Sequence, residues 1–154
     1  MEEIKVTLEE ARDFGAMSSK YLEEFSDDTK IRYALIKVSK QVNEAFKDYN
    51  KEANAFNAKL EDIRIDNAAT NEKGILIKSS KEGEYEYTQE GHAKMRTQIR
   101  EAVEKWTELS EILLKKPVTI TPHYIIDEKL IDLIPYKYRP YFKRFILKDD
   151  GDTV

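Results

Sequence analysis

The chain has 154 residues, 36% of them charged and 40% hydrophobic, with no cysteine and a formal net charge of −4. The lack of cysteine excludes disulfides, thiol catalysis and cysteine-ligated zinc, and the acidic balance gives no overall pull toward nucleic acid. No apolar run of 18 residues occurs and the opening MEEIKVTLEE is acidic where an export signal is basic, so a cytoplasmic protein without a membrane partner is expected.

In chain order, residues 4–6 suit a short strand. Thr7 then reads as an N-cap, with Glu10 placed three residues later for a capping box. Leu8, Ala11, Phe14, Ser18, Tyr21 or Leu22, and Phe25 follow at helical spacing and predict a first helix over 8–25. Gly15 is a weak point worth about 1 kcal/mol inside it. Ser26, Asp27 and Asp28 break this helix and cap the next.

From Ile31 through Leu35, Val38, Val42, Ala45, Tyr49, Ala53, Phe56 and Leu60 to Ile63, apolar residues recur in steps of three and four. The pattern predicts one uninterrupted helix over 29–65, roughly 55 Å long at 1.5 Å per residue. Turn residues follow, then two β-type runs within 75–88, joined through Gly83 as a hairpin. Met95, Ile99, Ala102, Trp106, Leu109 and Leu113 form a second seam on a helix over 92–115.

Pro117 ends that helix, and 118–126 is expected as strand or extended chain: Val118 to Thr121 alternates as a strand that Pro122 makes an edge or very short one, and Tyr124 to Ile126 continues extended. Asp127 caps a short helical turn through Leu133, and Pro140 starts a last helix reaching Leu147, so 128–147 holds short helices. Residues 149–154 are expected to form a loose tail. The expected fold is mainly α and a single domain over 1–154. A long antiparallel, coiled-coil-like helical hairpin carries a small β-hairpin at its tip, braced by a C-terminal strand and short helices.

Lys30-Ile31-Arg32-Tyr33-Ala34-Leu35-Ile36-Lys37 opens the long charged helix. Gly-Glu-Tyr-Glu-Tyr at 83–87, Glu108-Leu109-Ser110-Glu111-Ile112-Leu113 and Val118-Thr119-Ile120 follow, before a Pro-initiated segment running into Asp149-Asp150. This order resembles small bacteriophage-encoded proteins of a family of unknown function, over about residues 29–150. The basic Arg139, Lys143 and Arg144 depart from the pattern. The resemblance implies a viral origin and an architecture, and no activity.

No catalytic constellation stands out. His92 and His123 are the only histidines, and neither lies in a metal motif. The glycines are isolated and build no phosphate loop, so no metal and no cofactor is expected. Glu101, Glu104, Glu108 and Glu111 form a stripe that reads as a solvated face. Asn43, Asn50, Asn54 and Asn57 flank the long seam although Asn is a poor helix former, and they are candidates for a subunit contact. Off-seam Ile36, Phe46, Val103, Ile112 and Leu114 add to the expectation of a homo-oligomer.

Residues 136–145 interleave five aromatic rings with four cations. Tyr136, Tyr138, Arg139, Tyr141, Lys143 and Arg144 are the candidate partner-binding residues, since Tyr and Arg concentrate at interface hot spots. The competing reading packs Tyr138, Phe142 and Phe145 on the core and leaves the cations in water. Nucleic acid is disfavoured by the acidic balance elsewhere. The sequence points first to a non-enzymatic protein that binds another protein, in virion assembly or by inhibiting a host factor. The alternative is an oligomeric small-molecule or nucleotide binder with a pocket between subunits.

Overall fold

The computed structural model describes residues 2–25, 28–78 and 84–148. In chain order it contains β1 (Ile4–Thr7), α1 (Leu8–Glu24), α2 (Thr29–Ala45), α3 (Lys47–Asn67), α4 (Gln89–Leu114), β2 (Pro117–Ile120), α5 (Glu128–Leu133) and α6 (Arg139–Phe142). The protein is mainly helical, with one small antiparallel sheet of two strands among the described residues. Among those residues no helix is long and apolar enough to cross a membrane. The chain divides into two compact units, residues 1–47 with 113–154, and residues 48–112.

The first unit starts from a capping box. Thr7 Oγ1 accepts from Glu10 N at 3.1 Å, and Thr7 N donates to Glu10 Oε1 at 3.2 Å. This satisfies two backbone donors and fixes where α1 begins. Its inner face is Leu8, Ala11, Phe14, Ser18 and Tyr21, and α2 answers with Ile31, Ala34, Leu35, Val38 and Val42. The buried Ser18 hydroxyl meets that of Ser39 at 3.1 Å, so a polar group on the seam has its partner. Gly15 lies where an added Cβ would stand 3.4 Å from Val42 Cγ1.

β1 pairs antiparallel with β2, Ile4 opposite Ile120 and Val6 opposite Val118. The strand or extended chain expected over 118–126 is strand only to Ile120, because the Gln41 side chain takes over the ladder. Its amide donates to Thr121 O and its carbonyl accepts from Thr121 N, both at 2.7 Å. Residues 121–127 run on in no regular element. His123 N and Ile125 N donate to Phe145 O and Ile146 O at 2.9 and 2.8 Å. Asp127 caps α5 by accepting from Lys129 N at 3.0 Å.

The last helix is shorter than its pattern suggests. α6 stops at Phe142 instead of reaching Leu147, because Arg144 takes a left-handed φ of 74°. The chain then turns back, with Arg144 N donating to Leu147 O at 2.7 Å. That turn puts Phe145, Ile146 and Leu147 into the core. Phe145 stacks on Phe14 at 4.5 Å, and Phe142 meets Phe14 edge-on at 5.9 Å.

The helix expected over 29–65 is interrupted. Phe46 sits between α2 and α3 with φ −86° and ψ −3°, its N–H shared among preceding carbonyls. Its ring packs against the first unit's core. The division between units falls one residue further on.

In the second unit, Tyr49, Ala53, Phe56, Leu60 and Ile63 of α3 are half-buried, as are Met95, Ile99 and Trp106 of α4, while Ala102 is buried. Phe56 stacks on Trp106 at 5.4 Å, Tyr49 lies 5.6 Å from the same ring, and Asn67 Nδ2 donates to Gln98 Oε1 at 2.7 Å. A Cβ on Gly91 would come within 2.5 Å of Asn67 O, so the chain there admits only glycine without a shift. The β-type runs give isolated bridges, Thr70 with Leu76 around Gly74 (φ 75°) and Lys78 with Tyr85. The expected turn through Gly83 and the tail 149–154 lie outside the described residues.

Candidate functional site

The basic aromatic run is divided by the fold. Tyr138 is fully buried. Its hydroxyl donates to Glu24 Oε2, and Tyr21 meets its ring edge-on at 5.2 Å. Burial and the bond to Glu24 push its pKa up to about 12. The hydrogen bonds from Tyr138 and from Lys137 hold the Glu24 carboxyl below its ordinary value. Tyr138 is therefore a core residue, and its candidacy for partner contact is corrected.

The arginines are also held internally. Arg139 Nε donates to Ile134 O at 2.9 Å and its Nη2 to Ile131 O at 3.2 Å. Arg144 Nη2 donates to Lys5 O at 3.0 Å, and its Nη1 lies 3.5 Å from Glu10 Oε2. Both side chains tie segments together, so the picture of freely solvated cations around a docking surface does not hold for them. What the run presents outward is Tyr136, Pro140, Tyr141 and Lys143, together with Lys137, whose ammonium pairs with Glu24 at 3.2 Å.

Tyr136 is 81% exposed, yet the Arg139 guanidinium lies 4.2 Å from its ring centroid. An arginine whose N–H groups are already fixed on two carbonyls offers a rigid face to stack on. The ring is thus both accessible and held. Leu133, close by in sequence, is 60% exposed.

Asn43, Asn50, Asn54 and Asn57 are all exposed. Asn43 lies in the first unit and the other three in the second. Among off-seam residues, Phe46 is accounted for by the core, while Val103 and Ile112 on α4 are exposed.

Each histidine has an aromatic neighbour. His92 lies 6.1 Å from Tyr87, beside a cavity of about 510 Å³ lined by Glu61, Arg64, Glu84, Tyr85 and Met95. There Tyr85 donates to Glu61 Oε1 at 2.9 Å, a bond that raises the phenol's pKa. No group of three His, Asp or Glu among the described residues could hold a metal ion.

His123 meets Tyr33 edge-on at 5.4 Å. Both rings line a groove of about 470 Å³ in the first unit, formed by the first turns of α2 and by residues 123–130. Thr29, Lys30 and Tyr33 form one wall, and Tyr124, Ile125, Ile126, Asp127 and Leu130 the other. Sequence reasoning missed it. Its only trace in the sequence was the pairing of Ile125 with Ile126, two apolar residues in succession that an alternating strand cannot both bury. Ile125 is buried and Ile126 is 88% exposed.

No protein-family model, no curated protein and no solved structure matches this chain.

Proposed function

We propose that this is a non-enzymatic protein of bacteriophage origin that acts by binding another protein, either in virion assembly or by inhibiting a host factor. The supporting observation is Tyr136, an exposed ring already immobilised on Arg139. A pre-ordered aromatic loses little freedom on docking, which is what a hot-spot residue needs. The test places a photocrosslinking amino acid at position 136. A stoichiometric protein adduct that excess wild-type chain competes away, and excess Tyr136→Ala chain does not, supports the reading, and crosslinks to water and buffer alone overturn it.

Two finer points of architecture belong to the same proposal. α3 and α4 form a coiled-coil-like antiparallel hairpin, supported by the Phe56–Trp106 stack near one end and the Asn67–Gln98 bond near the other. The exposed Val103 and Ile112 on α4 support self-association. Light scattering at micromolar concentration that finds only monomer refutes the latter.

A second reading, small-molecule binding, is supported by the groove at 29–33 and 123–130. Its volume lies in the range of ligand pockets.

A further inference from the structure

The groove rests on that second reading, and its chemistry names a class of ligand. We propose that it binds a flat aromatic anion, an aromatic carboxylate in the simplest case.

The flat, apolar character comes from the walls. Tyr33, His123 and Tyr124 contribute three rings, while Ile125, Ile126 and Leu130 supply aliphatic surface. Tyr33 is 55% exposed and Ile126 88% exposed, so each wall carries a large apolar side chain open to solvent. Covering them with a ring recovers hydrophobic free energy, and the existing edge-on Tyr33–His123 pair leaves ring faces and edges for further aromatic contact.

The negative charge would answer Lys30 on the α2 wall. Lys30 lines the groove and makes no ion pair among the described residues. A second ammonium, that of Lys37, lies 5.9 Å from the centroid of the Tyr33 ring. The carboxylate in the lining, Asp127, keeps its charge but is held in place by accepting from Lys129 N as the cap of α5.

The wall opposite α2 is preformed. Gln41 grips both backbone groups of Thr121, and His123 N and Ile125 N are bonded to the chain at 145–146. A ligand would therefore meet a surface that needs little reordering.

The probes are 2-naphthoate and its neutral isostere 2-naphthamide, each titrated into the full chain and followed by amide NMR shifts. Naphthoate should perturb residues 29–33 and 123–130 and bind about three to five times more tightly than the amide, as one partly exposed ion pair allows. Lys30→Gln should abolish that preference. Tyr33→Ala should weaken both probes by about three- to tenfold while leaving the melting curve in place. Equal binding of the two probes overturns the anionic class and leaves small-molecule binding standing. Perturbation by neither probe overturns both, and shifts centred on 136–141 instead overturn the groove as the site.

Discussion

Two glycines in helices make opposite predictions for the same substitution. In an unobstructed helix, Gly→Ala gains about 1 kcal/mol, because alanine has less backbone freedom to lose. At Gly15 the new Cβ would stand 3.4 Å from Val42 Cγ1, an ordinary van der Waals contact. Gly15→Ala should therefore stabilise the protein by about 0.5–1 kcal/mol, or roughly 2–4 °C in Tm for a chain of this size. At Gly91 the Cβ would lie 2.5 Å from Asn67 O and 3.1 Å from Thr88 Oγ1. The first of these is backbone at the end of α3, and the second is the hydroxyl that accepts from Gly91 N at 3.0 Å. Relieving such overpacking costs typically about 1–3 kcal/mol, which exceeds the helix gain. Gly91→Ala should thus destabilise by up to about 2 kcal/mol. Urea melts read by circular dichroism report both variants, and Trp106 fluorescence reports the α3–α4 contacts directly. If Gly91→Ala stabilises as Gly15→Ala does, the close passage of α4's first turn by Asn67 is refuted.

Three further outcomes are expected. Val42→Asp, which places a charge at a position 3% exposed, should cost several kcal/mol, whereas Asn43→Asp on the exposed neighbour should stay within about 0.5 kcal/mol in thermal melts. Arg139→Ala should lose about 1–3 kcal/mol by removing the bond to the Ile134 carbonyl and one of the two bonds to that of Ile131, while Tyr136→Ala should leave the urea midpoint nearly unchanged. Tyr138→Phe removes the bond to Glu24 and with it two pH dependences. Glu24's lowered pKa gives stability present above its ordinary 4.5 and lost as pH falls through the lowered value, and Tyr138's raised pKa gives stability present below its ordinary 10.0 and lost as pH rises toward about 12. The wild-type advantage over Tyr138→Phe in urea midpoint should shrink at both extremes, and a constant difference from pH 3 to 11 would refute the linkage.

The parts of the fold that were legible in the sequence are those specified by neighbours in the chain. Thr7 with Glu10, Asp28 with Ile31 and Asp127 with Lys129 are caps between residues at most three apart, and the starts of α1, α2 and α5 follow from them. The inner face of α1 was legible in the same way. What escaped depends on distant partners. β1 pairs across the chain with β2, and nothing in IKVT names PVTI as its complement. The interruption at Phe46 falls inside a regular run of apolar spacing, where the ring packs on the first unit's core. Arg144 adopts a left-handed φ that favours no residue of its kind, since three apolar residues after it gain burial. The partner-binding candidates shared this fate: an aromatic-basic run reads the same whether its rings face water or not. Composition could not separate Tyr136 from Tyr138, two residues apart, one exposed and one buried. The groove needed two segments brought side by side, so no local pattern announced it.

The pairing of Ile4–Thr7 with Pro117–Ile120 has a consequence for synthesis on the ribosome. Translation proceeds at about 5–20 residues per second, so the first strand must wait roughly 5–20 s before its complement has been made. The segment 48–112 needs no such delay, because everything it contacts internally lies within one uninterrupted stretch. Its order of appearance is therefore the reverse of the reading order: the middle of the message can reach its final form while the beginning is still incomplete. During that interval the apolar side of residues 8–42 has only itself to hide against, and a slowly translated message would lengthen the period in which it can be captured by a chaperone or by another nascent copy.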